Sequence, residues 1–239
     1  MAPRANWKGY LRLSLVSCAV ALYPAAGSSA RVSFNRLNRK TGNRLKQQNV
    51  DSETGEIVDR SDQVRGYEVA KGEYIVVEDA DLEKVKIEST HTIDITSFVP
   101  KTEIDPRFMD AAYYIAPDDR VAQEPFAVIR EAMRDQGMVG IGRVVLSSRE
   151  RIVMLEAFDK GILATVLRYQ NEVRDASAYF DEIAAMSIPP DMADLAKVIL
   201  QRMGGHFDPA AFIDRYEDGV VEMLKEKRAG QEYAPVAQP

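Results

Sequence analysis

A single cysteine, Cys18, and two histidines, His91 and His206, occur among the 239 residues of this chain. An internal disulfide framework is therefore excluded, and so are the usual zinc clusters built from four Cys and His ligands. Long apolar runs are missing too, so no transmembrane helix and no membrane partner are expected. Neither a Walker loop nor a Gly-x-Ser-x-Gly nucleophile elbow is present. The most telling gap is regional: residues 1–50 contain neither aspartate nor glutamate.

Those fifty residues do contain nine basic side chains, at Arg4, Lys8, Arg12, Arg31, Arg36, Arg39, Lys40, Arg44 and Lys46. The whole chain has 31 basic and 37 acidic residues, so a segment of charge +9 is joined to a remainder of −15. Such asymmetry points to a polyanionic partner, and the net charge of −6 conceals it.

The start of the chain imitates an export signal. Arg4 and Lys8 precede the apolar stretch Leu13 to Leu22, small residues follow at 25–30, and Leu15-Val16-Ser17-Cys18 resembles a lipobox. Trp7, Gly9, Tyr10 and Arg12 interrupt that pattern and leave only Leu13 to Ser17 before the cysteine, shorter than the roughly 7–15 residues a signal needs. The stretch from Tyr10 to Tyr23 reads instead as one buried strand, ended by Pro24.

Most of residues 10–170 read as short strands. Val32, Phe34 and Leu37, a turn at Thr41-Gly42-Asn43, and Leu45 to Val50 suggest a basic hairpin, with Phe34 pointing with the core residues. A second hairpin runs from Val64 through Lys71-Gly72 to Val77. Further strands are expected at 92–99, 113–116, 138–147, 152–157 and 162–169. Many short strands separated by turns mean a barrel or a sandwich. One helix interrupts them, with Pro125 at its first position, Phe126, Ile129 and Met133 on one face, and Gly137 as its stop. After about residue 180 the period becomes helical. Met192, Leu195, Ala196, Ile199 and Met203 form one stripe ended by Gly204-Gly205. A second helix is expected from a cap at Asp208, with Phe212, Tyr216, Val220 and Leu224 on one face and Gly230 beyond its end. Residues 231–239 are expected to be disordered. No internal repeat is apparent.

Catalytic constellations are scarce. Val139-Gly140-Ile141-Gly142 has two glycines of a dinucleotide motif, but Val145 occupies the third position, and a strand with closely approached glycines is the better reading. Glu78, Asp79 and Asp81 read as a solvated turn or helix start, His91 as structural, and Cys18 as a small buried hydrophobe. No catalytic residue, cofactor or metal is assigned, and the chain is not read as an enzyme. The basic hairpin is the stronger signal. Arg31, Arg36, Arg39, Lys40, Arg44 and Lys46 are the candidate DNA-binding residues, because a short ribbon can lay its cations along a phosphate track. No zinc finger or basic recognition helix reads base edges, so sequence-blind binding is expected. A single-strand binder or another sequence-nonspecific nucleic-acid protein stays open on these residues, as does a small enzyme with an acidic pocket.

The order and spacing of many short segments resemble bacterial Ku, the homodimeric DNA-end-binding family of non-homologous end joining. The resemblance rests on Trp7-Lys8-Gly9, Val20-Ala21-Leu22-Tyr23, Gly42-Asn43-Arg44-Leu45-Lys46, Glu53-Thr54-Gly55-Glu56 and Gly72-Glu73-Tyr74-Ile75-Val76. It continues through Ile104-Asp105-Pro106, Leu167-Arg168-Tyr169 and Phe207-Asp208-Pro209. The resemblance implies a mainly β fold with helices, namely a Ku-type β-barrel core plus an α-helical C-terminal region. The implied domains are a DNA-binding and dimerisation core over 1–185, a ligase-recruiting helical region over 186–230 and a tail over 231–239. It further implies a cytoplasmic, nucleoid-associated homodimeric ring that encloses double-stranded DNA ends and recruits the multi-domain bacterial repair ligase. Removal of residues beyond about 185 is then expected to leave DNA binding largely intact. Gln48 and Asn49 stand where relatives often have basic residues, and no lysine follows Lys227.

Overall fold

A computed structural model describes residues 4–27 and 31–230. The apolar stretch near the start forms two strands, β1 (Trp7–Leu13) and β2 (Val16–Pro24), where the sequence suggested one. Ser14, with φ of 53°, and the fully exposed Leu15 make a two-residue turn that returns the chain on itself, pairing Leu13 with Val16. A hairpin follows at β3 (Arg65–Ala70) and β4 (Glu73–Val77), then a short helix α1 (Asp79–Lys84). Glu78 and Asp81 close a reciprocal capping box at that helix, which accounts for the acidic cluster noticed in the sequence. Next come β5 (Thr92–Pro100), β6 (Met109–Pro117), α2 (Gln123–Gln136), β7 (Met138–Leu146), β8 (Arg149–Phe158) and β9 (Gly161–Leu167). The chain continues in α3 (Ser177–Phe180), α4 (Pro190–Met203) and α5 (Arg215–Arg228).

Seven strands close a barrel in the order β1-β2-β6-β9-β8-β7-β5. Every neighbouring pair is antiparallel except β1 with β5, whose parallel pairing of Leu11 with Ile93 shuts the ring. Alternation along β8 shows how the wall is built: Val153 and Leu155 face the main core, while Ile152 and Met154 face a smaller one with Val139 and Leu167. Phe126, Ile129 and Met133 of α2 are buried in the main core, as their spacing requires. Pro125 sits in the first turn of α2, and Gly137 ends it in the left-handed conformation. Gly142 permits the close crossing of β7 and β5, since a Cβ there would stand 2.7 Å from the carbonyl oxygen of Asp94.

Two expected elements are absent as drawn. The basic hairpin has no ladder, only a bridge between Leu37 and Arg44. Its apolar and basic residues alternate too imperfectly to bury a face, and Phe34 is 65% exposed rather than turned to a core. The last helix starts at Arg215 instead of Pro209. Asp208 caps only a short 3-10 turn over Pro209–Ala211, the chain then extends, and Asp214 caps α5. Tyr216, Val220 and Leu224 keep their common stripe, but Phe212 lies outside the helix. The expected tail lies outside the described residues.

The described residues separate into two compact units, one comprising 4–27 and 46–174, the other 31–45 and 175–230. The first contains the barrel. The second joins most of the basic segment to the C-terminal helices.

Candidate nucleic-acid interface

The fold of the basic segment is set by two side chains that bond to backbone and by one glycine. The Asn38 carboxamide oxygen accepts the Lys40 N–H at 2.9 Å, and the Thr41 hydroxyl accepts the Asn43 N–H at 3.3 Å. Gly42, with φ of 72°, supplies the left-handed residue and donates its N–H to the Asn38 carbonyl at 2.8 Å. Asn38 N–H to Asn43 O and Leu45 N–H to Arg36 O close the loop at 2.8 and 2.9 Å. None of this uses a cation. Arg36, Arg39, Lys40 and Arg44 are therefore left on a tight loop, all exposed, with Arg31 ahead of it. Lys46, also exposed, is the first residue of the next stretch, in the barrel-containing unit.

The electrostatics of these six differ from those of the barrel. Among the described residues none of the six forms an ion pair. On the barrel, Lys8 pairs with Asp118 at 2.7 Å, Arg12 with Asp94 at 2.6 Å, Lys101 with Glu156 at 2.8 Å and Arg168 with Asp110 at 2.6 Å. The Arg12 guanidinium holds the Asp94 carboxyl below its ordinary range, chiefly by its hydrogen bonds. On β7 and β8, Arg143 is likewise engaged with Glu150 at 2.8 Å. Arg149 is exposed and Arg151 half-buried. Cations already matched by carboxylates have less to offer a phosphate; unmatched ones keep their full attraction.

The same turn occurs twice, a repeat not apparent in the sequence. Thirteen residues on, the Asp51 carboxylate accepts the Glu53 and Thr54 N–H groups at 2.8 and 3.0 Å, and the Thr54 hydroxyl accepts the Glu56 N–H at 3.3 Å. Gly55 has φ of 75°, Gly55 N–H donates to Asp51 O at 2.9 Å, and Asp51 N–H to Glu56 O at 2.8 Å. Val50 and Ile57 bridge as Leu37 and Arg44 do. The common signal, Asn or Asp followed by two residues and Thr-Gly, is legible once the spacing is known. Its charge is inverted: Asp51, Glu53 and Glu56 replace Asn38, Lys40 and Asn43.

The residues considered for chemistry have structural employment. Cys18 is buried, its thiol pushed up to about 11 mainly by desolvation, which disfavours the thiolate needed for nucleophilic attack. His91 has φ of 49°, stacks its ring on Trp7 at 6.3 Å and accepts the Tyr10 N–H on its carbonyl. Among the described residues no group of His, Cys, Asp and Glu is placed to hold a metal ion.

Comparison with known proteins places this geometry in context. A family model described as the Ku70/Ku80 beta-barrel domain matches residues 12–195. A protein of Bradyrhizobium sp. (strain ORS 278) named Non-homologous end joining protein Ku is 51% identical, over 97% of this chain and 79% of its own. Proteins of the same name from Methylocella silvestris and Cereibacter sphaeroides are 42% and 41% identical. Those two alignments cover 95% and 99% of this chain, and 84% and 89% of the relatives.

Proposed function

The chain belongs to the Ku family, and from that premise we propose that two copies of it form a ring around the end of a broken DNA duplex in non-homologous end joining. The observation that carries the reading is the run of six exposed cations at Arg31, Arg36, Arg39, Lys40, Arg44 and Lys46, unpaired among the described residues. They can meet phosphates without reading bases, so binding is sequence-blind, and enclosure by a ring turns that affinity into preference for an end. The role is one of binding. Catalysis belongs to a repair ligase, recruited through the helical region over 186–230, while residues 1–185 hold DNA and dimerise.

The β3–β4 hairpin supports dimerisation. Tyr67, Val69, Tyr74, Ile75 and Val76 are all exposed on it, and an isolated two-stranded hairpin is at best marginally stable in water. A second copy would cover this apolar surface by two-fold symmetry. Among the described residues no helix is long and apolar enough to cross a membrane. Residence on the nucleoid in the cytoplasm follows from the proposed partner.

Competition for labelled linear duplex tests the ring. Unlabelled linear duplex should compete, whereas closed circular duplex of the same sequence and single strands should not. Equal competition by the circle would refute threading. Equal competition by single strands would favour stacking, to which the exposed Phe34 could contribute.

A further inference from the structure

The basic segment is tied to the C-terminal helix by a carboxylate. The Val32 backbone N–H donates to Glu217 Oε1, bridging 185 positions in sequence within one compact unit. Among the described residues this is the sole hydrogen bond from residues 31–45 to another segment; the rest close the loop on itself. Val32 and Glu217 are both half-buried, although the neighbouring residues 33–45 are exposed. Glu217 is itself fixed. It is the third residue of α5, its N–H is accepted by the capping Asp214 carboxylate at 3.0 Å, and Val220 anchors the next turn by burial. The carboxylate thus takes a backbone donor, while Arg31, next to Val32 in sequence, forms no ion pair among the described residues.

We infer that Glu217 is a positioning residue for DNA, holding the root of the cationic loop so that its cations meet the phosphate track together. This rests on reading residues 31–46 as the DNA contact. It also makes the C-terminal region part of the grip, so truncation beyond residue 185 should weaken DNA binding rather than leave it intact.

The sign of one substitution separates tether from charge. Glu217→Ala removes a negative charge from the unit that meets a polyanion, so electrostatics alone would tighten binding. Loss of a charge-assisted tether should instead weaken binding to linear duplex by about tenfold. It should also accelerate hydrogen exchange at the Val32 amide. Glu217→Gln, neutral but still offering an oxygen acceptor, should restore most of the affinity. Should Glu217→Ala fail to fold, Val32→Pro deletes the donor from the other side and should produce the same loss. A folded Glu217→Ala or Val32→Pro variant that binds as tightly as the parent, or tighter, overturns the inference. The quadruple change of Arg36, Arg39, Lys40 and Arg44 to Ala isolates the premise. If it leaves affinity untouched, the DNA-contact reading fails; if it abolishes binding while Glu217→Ala does not weaken it, only the tether fails.

Discussion

The turns at residues 38–43 and 51–56 share their backbone hydrogen bonds, their threonine, their left-handed glycine and their flanking bridge, yet one is surrounded by cations and the other by carboxylates. Arg36, Arg39, Lys40, Arg44 and Lys46 attend the first; Asp51, Glu53, Glu56 and Asp59 attend the second. Shape is fixed by the Asx, Thr and Gly positions. Apart from Asp51, which is both charged and turn-forming, charge sits at the positions between and beside them, which the turn leaves free. A loop of this kind can therefore be given or denied affinity for phosphate without disturbing its fold.

The comparison breaks most sharply if the second turn's side chains are grafted onto the first. Arg39→Ser, Lys40→Glu, Asn43→Glu and Arg44→Ile together keep every turn-forming residue, so circular dichroism should be unchanged. Affinity for linear duplex should nevertheless fall by roughly a thousandfold, since several phosphate contacts vanish in each of two subunits. Unchanged affinity would show that the loop does not touch DNA.

A smaller effect comes from the glycines. At both Gly42 and Gly55 a Cβ would enter open space, so alanine meets no clash at either, only left-handed strain of about 1–2 kcal/mol. Gly42→Ala should weaken DNA binding several-fold in an anisotropy titration, and Gly55→Ala should leave it nearly unaltered. Equal effects would mean that both turns, or neither, contact DNA.

The smallest effect separates the turns by pH. Asp51 is held below the usual carboxylate range by the Thr54 and Glu53 N–H groups, in that order. A depressed folded value means that its contribution to the turn is present above the unfolded value of about 3.9 and is lost as pH falls through the folded one. Acid titration by NMR should therefore release the Glu53 and Thr54 amides while leaving Lys40, held by the neutral Asn38, unaffected. Simultaneous release of all three would contradict the assignment.

Much of the barrel was legible in the sequence because its strands are bounded by turns and its core residues alternate, as along β8. The α2 face at Phe126, Ile129 and Met133 was legible for the same reason, at period 3.6. The Ser14-Leu15 turn was not, because a lone serine followed by an exposed leucine carries no Gly, Asn or Asp signal for a two-residue turn and the apolar pattern runs through it. The split before α5 was hidden by Asp208-Pro209, a sound start signal that opens only a 3-10 turn, while Asp214 does the capping. At the candidate site the six cations stood out by composition. Their loop geometry did not, because local side-chain bonds rather than strand pairing set it. Glu217 could not be found from sequence, since nothing local ties it to Val32.

The salt dependence of binding tests the central claim most directly. Engagement of about 6–10 phosphates predicts that affinity for linear duplex falls some 10³–10⁵-fold between 50 and 200 mM salt. Replacing Arg44 and Lys46 together with Ala should flatten the log–log slope by about four units, at about 0.9 per phosphate, if both residues contact DNA in both subunits. The loss should be the same for every duplex sequence. A double variant whose slope equals that of the parent would place the grip on other residues and contradict the account.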